Sequence, residues 1–133
     1  MTIEILWDDP EQQTILRYDI GEQWAWNDFY VARQHVYDLM DSTELSRIYT
    51  IAHFKQNKVK IPFDVMKHLP ELSAYSHPKA GLMVIVGAGR LMKAAFSGFK
   101  KVFVTTTNRS LDFAYADTLI NARQIIQQEK ENA

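Results

Sequence analysis

Ala80 to Ala88 reads AGLMVIVGA, a short apolar run bounded by glycines. Alternation is missing from it, so both of its faces expect apolar neighbours. A run of this length rich in Val, Ile, Leu and Met suits a strand buried on both sides, and helices must then cover both faces of its sheet. That reading places the chain in the α/β class, and the flanking segments agree with it. Leu82 to Val86 is the strand proper, Gly87-Ala88-Gly89 the turn that leaves it, and Arg90 to Lys101 an amphipathic helix with Leu91, Ala94, Ala95 and Phe99 on one side. Val102 to Thr106 reads as the next strand. Ser110 then caps a final helix with Ala116, Leu119, Ala122 and Ile126 as its apolar stripe.

Upstream, Ile3 to Trp7 and Thr14 to Ile20 alternate as half-exposed strands do, and Asp8-Asp9-Pro10-Glu11 supplies turn chemistry between them, so an antiparallel hairpin is expected. Trp26 to Met40 has helical spacing: Phe29, Ala32, Val36, Leu39 and Met40 share a face, Asn27 is a candidate cap and Asp28 lies in the first turn. Arg47 to Phe54 is β-branched and aromatic. Pro62 opens a short helix with Phe63, Met66 and Leu69 on its stripe, ended by Pro70. The expected order is β-β-α-β-α-β-α-β-α: a mixed sheet of about five strands flanked by four helices, in one domain over 1–126 with a polar C-terminal tail at 127–133.

The totals narrow the function classes. The chain has 133 residues, enough for one ordinary core, and its 47% hydrophobic and 23% charged content is globular. The net charge of −1 gives no broad attraction to nucleic acid. With no cysteine, thiolate nucleophiles, disulfides and zinc–cysteine sites are excluded. The N-terminus lacks a basic head and a long apolar core, and no apolar stretch reaches the ~18 residues of a membrane span, so a cytoplasmic location is expected.

The order of elements from Ile3 to about Ile126 resembles the STAS domain family, whose members include bacterial anti-sigma-factor antagonists and cytoplasmic domains of anion transporters. Gly21 to Phe29 (GEQWAWNDF) is similar to the first-helix start of a small STAS-like bacterial branch: Gly21, Trp26, Asp28 and Phe29 match, while Ala25 stands where a capping Thr or Ser is usual. Lipid-exchange domains of the SEC14 type have a similar order in longer chains. The resemblance implies a non-catalytic regulatory module that binds a partner through its strand-end loops. Regulatory STAS proteins carry an Asp-Ser pair after the third strand, whose serine a partner kinase phosphorylates. The corresponding stretch, His53 to Phe63 (HFKQNKVKIPF), holds no Ser, Thr or Asp, so docking without a phospho-switch is expected.

The candidate partner surface is therefore Asn57, Lys58, Lys60 and Phe63, with Lys55 beside them, facing a protein partner or a second copy of the chain. The alternative is a carrier of a small apolar or lipid-like ligand, with aromatics and Met66, Met83 and Met92 lining a pocket between sheet and helices. Gly87, Gly89 and Arg90 form a candidate anion site at the start of a helix. A dinucleotide reading fails: Met92 replaces the third glycine, and Asn108, Arg109 and Ser110 stand where an acidic residue is needed. No cofactor is expected. His35, His53, His68 and His77 lack metal-binding spacing, Ser97 lacks a nucleophile elbow, and Asp8-Asp9 and Asp38/Asp41 read as solvated carboxylates, so neither metal nor catalysis is expected. Trp24 and Trp26, two residues apart, cannot share one helix face, so one of them is expected at the surface.

Overall fold

The computed structural model describes residues 3–55, 77–87 and 113–132, with the single positions 67, 68, 89, 94 and 97. Its elements are β1 (Ile3–Trp7), β2 (Ile15–Ile20), α1 (Trp26–Ser42), β3 (Ile48–Phe54), β4 (Ala80–Val86), β5 (Phe113–Ala116) and α2 (Leu119–Asn132). The five strands form one sheet in the order β1-β2-β3-β4-β5. β1 runs antiparallel to β2, and β2, β3, β4 and β5 are parallel. The α/β class and the antiparallel edge are as the sequence implies.

The expected layout needs correction. Among the described residues the order is β-β-α-β-β-β-α with two helices, not β-β-α-β-α-β-α-β-α with four. The expected helices at 62–69 and 90–101 fall almost wholly outside the described residues, and the expected strand at 102–106 lies outside them. The fifth strand is Phe113–Ala116, inside the stretch read as the last helix. Its period is 2: Phe113 and Tyr115 pack against one core, Ala116 against the other. The helical stripe was read one element too early because Ala116 fits either period. The true cap of α2 is Thr118, not Ser110: its hydroxyl accepts the Asn121 N–H at 3.1 Å. α2 then continues to Asn132, through the stretch expected as a polar tail.

Alternation along the strands divides the interior. Leu16, Tyr18, Ile20, Ile48, Ala52, Phe54 and Ile85 face α1, where Ala32, Val36 and Met40 meet them. Ile15, Tyr49, Ile51, Val84, Val86 and Ala116 face the other way, onto Ala122 and Ile126 of α2. Val84, Ile85 and Val86 are consecutive and all buried, which is what the AGLMVIVGA run required.

Two local devices hold α1. Ala25, in extended conformation, cannot cap with a side chain, but its own N–H donates to Asp28 Oδ2 at 3.0 Å, half of a capping box. At the other end α1 has no basic residue in its last turn. Lys79, just before β4, replaces one: its Nζ donates to the carbonyls of Met40 at 3.2 Å and Thr43 at 2.6 Å.

Candidate functional site at the C-terminal rim of the parallel strands

Parallel strands end in a common rim, and in open α/β sheets ligands meet the protein there. Both faces of the sheet bring unusual side chains to this rim.

On the α2 face a chain of charges runs across β1, β2 and β3. Arg17 and Asp19 share one face of β2, two residues apart. Arg17 Nε donates to Asp19 Oδ1 at 2.7 Å and its Nη2 to Oδ2 at 3.2 Å, while its Nη1 donates to Asp8. Arg123 of α2 reaches the same Asp8 carboxylate from the other side, its Nε and Nη2 each at 2.9 Å. Paired first with Arg123 and also with Arg17, Asp8 is held below the usual carboxylate range, although burial opposes this. The Asp8 side chain is only 2% exposed and that of Asp19 6%, so the solvated reading of Asp8 is overturned.

At the rim end of this chain, His53 Nδ1 lies 3.3 Å from Asp19 Oδ1. An ionised carboxylate only accepts, so the proton sits on Nδ1 and the lone pair of the neutral ring is on Nε2. Among the described residues Nε2 has no hydrogen-bond partner, and the His53 side chain is 22% exposed. This is a carboxylate-oriented imidazole, partly exposed, whose second nitrogen is unpaired among the described residues.

On the α1 face the rim is aromatic. Trp24 lies in the loop before α1 and packs against Phe54 and Phe29, and edge-on to Trp26 with ring centroids 5.1 Å apart. Helical spacing does not govern a pair whose first member precedes the helix, so both indoles are half-buried in one cluster. Trp26 also stacks on His68 at 4.3 Å, and the Tyr30 hydroxyl is 2.7 Å from His68 Nδ1. Arg33 lies over the rings of Tyr30 and Tyr37. Two buried donors here, Trp24 Nε1 and Arg33 Nη1, have no acceptor among the described residues.

Of the residues singled out from sequence, Asn57, Lys58, Lys60, Phe63 and Arg90 lie outside the described residues. Gly87 ends β4 with φ +81°, and its N–H faces the Ala116 carbonyl at 3.4 Å. Gly89 is exposed. Sequence reading passes over Arg17 and Asp19, takes Asp8 for a solvated carboxylate and gives His53 no partner. The i, i+2 pair Arg17/Asp19 on a strand was a usable signal, because it puts two opposite charges on one face. His53 needed the register of β2 with β3, where it stands opposite Asp19. His77, read as an ordinary partly buried histidine, donates from Nε2 to Asp41 at 2.6 Å and accepts the Lys79 N–H at Nδ1.

Among the described residues no group of three His, Asp or Glu could hold a metal, and no helix is long and apolar enough to cross a membrane. No family model, curated protein or solved structure matches the chain. The STAS resemblance thus rests on Gly21, Trp26, Asp28 and Phe29 and on an element order that differs from the one described above.

Proposed function

We propose that the chain is a non-catalytic, cytoplasmic, STAS-like binding module that docks a protein partner on the rim formed by the C-terminal ends of β2, β3 and β4. The observation that carries this reading is the cluster of Trp24, Trp26, Phe29 and Phe54 at that rim, with the Trp24 indole N–H buried and unpaired among the described residues. Half-buried indoles with a spare donor are the side chains that anchor protein interfaces. Lys55 is exposed immediately after β3, and the sequence continues with Lys58 and Lys60. That charge fits an acidic segment of the partner, and it speeds encounter more than it tightens the complex.

Peptide display against the intact chain tests the reading. Enriched sequences should combine Asp or Glu with an aromatic or aliphatic residue, and their binding should weaken as salt rises. Binding should be lost in the double variant Lys58→Glu, Lys60→Glu and reduced in Trp24→Phe, which keeps a ring but removes the donor. Selected peptides that bind folded variants as well as the parent chain would place docking elsewhere. A co-purifying apolar mass in native mass spectrometry would instead favour the carrier alternative.

A further inference from the structure

We propose that His53 is a phosphoryl-accepting side chain, charged at Nε2 by a small or protein-borne phosphoryl donor of the phosphoramidate or acyl-phosphate class. The inference goes beyond docking and uses the opposite face of the rim. A good imidazole nucleophile needs a fixed tautomer, an exposed lone pair and a group that stabilises the cation formed on attack. Asp19 supplies the first and third. Its carboxylate stands 3.3 Å from Nδ1, and Arg17 holds it in place with two hydrogen bonds. A side chain 22% exposed, with Nε2 unpaired among the described residues, supplies the second.

The surroundings favour an anionic reagent. Lys55, exposed, follows His53 by two residues, immediately after the strand. His53 pairs across the sheet with Val86, the last residue of β4, and the glycines of Gly87-Ala88-Gly89 follow it with Arg90 next in sequence. The oriented imidazole thus has an exposed lysine two residues further on and Gly87 next to its cross-strand partner, a composition suited to a phosphoryl group. The hydroxyl acceptors that the chain lacks at this strand end are not needed when nitrogen is the nucleophile.

The step balances simply. The Nε2 lone pair attacks phosphorus as the P–N bond of N-protonated (zwitterionic) phosphoramidate breaks, and ammonia departs with that bond's electrons and the three hydrogens it already carries. The ring becomes an N-phosphoryl imidazolium whose Nδ1–H remains on the Asp19 carboxylate. With an acyl phosphate the broken bond is P–O and the carboxylate leaves.

Potassium phosphoramidate offered to the folded chain tests the proposal, with site-resolved mass spectrometry under alkaline conditions that preserve phosphohistidine. His35 is exposed on α1 and His53 only partly so, so simple accessibility would label His35 first. The proposal requires the reverse order, His53 ahead of His35, and equal rates once the chain is unfolded in urea. His53→Gln should lose the fast label. Asp19→Asn should slow it on the order of tenfold, as loss of an orienting partner does. Should Asp19→Asn fail to fold, nitrogen-15 NMR of the parent chain reads the same feature, a proton on Nδ1 and none on Nε2 of His53. Labelling in order of exposure, a fast label that survives His53→Gln, or an Nε2-protonated tautomer would overturn the assignment. Peptide docking could survive each of these results, so the two readings fail separately.

Discussion

The carbonyl oxygen of Phe54 occupies the space where a side chain on Gly87 would begin: a Cβ at position 87 would lie 2.6 Å from it. The last residue of β3 and the first residue after β4 are in backbone contact at the rim. With φ at +81°, position 87 is closed to other residues for two independent reasons. Gly87→Ala should therefore lose about 2 kcal/mol of stability. Among the described residues nothing lies within 4 Å of a Cβ on Gly89, so Gly89→Ala should change stability by less than about 0.5 kcal/mol. Urea midpoints of the two variants check the contrast, and equal midpoints would contradict it.

Ala25 is an N-cap with the backbone of a cap and no side chain to act as one. A serine there would accept an N–H of the first turn while Asp28 keeps its bond to the residue 25 amide. Ala25→Ser should raise stability by about 1 kcal/mol. Thermal unfolding of the variant would show the gain as a higher midpoint, and an unchanged or lower midpoint would mean that the first turn is already satisfied.

Asp8 makes stability depend on acid. Its carboxyl is held below 3.8 by Arg123 and Arg17, so its contribution is complete above that value. The contribution declines as the pH falls below 3.8 and through the lowered value of the folded state, because the unfolded chain then takes up the proton first. Arg123→Met should flatten this acid limb and cost about 0.5 kcal/mol at neutral pH, since its guanidinium is largely in water. Asp8→Asn should cost more, about 2 kcal/mol, because it strips the less exposed Arg17 of a charged partner. Unfolding free energies between pH 2 and pH 7 would test both, and parallel acid limbs in parent and variants would refute the assignment.

Lys79 caps a helix from outside it. Lys79→Met keeps the apolar stem and loses the bonds to Met40 and Thr43, which should cost about 1 kcal/mol. Amide exchange should rise first in the last turn of α1. The neighbouring His77 should show its proton on Nε2, because Nδ1 accepts the Lys79 N–H. Nitrogen-15 shifts that place the proton on Nδ1 would remove this link between α1 and β4.

Much of the scaffold was legible because its signals are local. Ile3–Trp7 and Ile48–Phe54 show strand composition, and the stripe of Ala32, Val36 and Met40 has helical period over enough turns to be unambiguous. Phe113–Ala116 was not legible. Four residues are too few to separate period 2 from the first turn of a helix, and their strand conformation depends on pairing with Met83–Val86 of β4. Asp8 shows the same limit for the site. Beside Asp9 and Pro10 it reads as a turn carboxylate, and only the fold brings it Arg17 of the neighbouring strand and Arg123, 115 residues away.

By itself the sequence determined the α/β class, the antiparallel edge, the buried end of β4 at Val84–Val86 and the absence of any thiol chemistry, because each depends on residue type or on spacing within one element. Tertiary structure alone decided which charges meet. Asp19 and His53 are 34 residues apart and become neighbours only because β2 and β3 pair in one register, and a shift of one residue would turn the imidazole toward the opposite core. Side-chain chemistry is written along the chain, but the partner that orients it is chosen by the sheet.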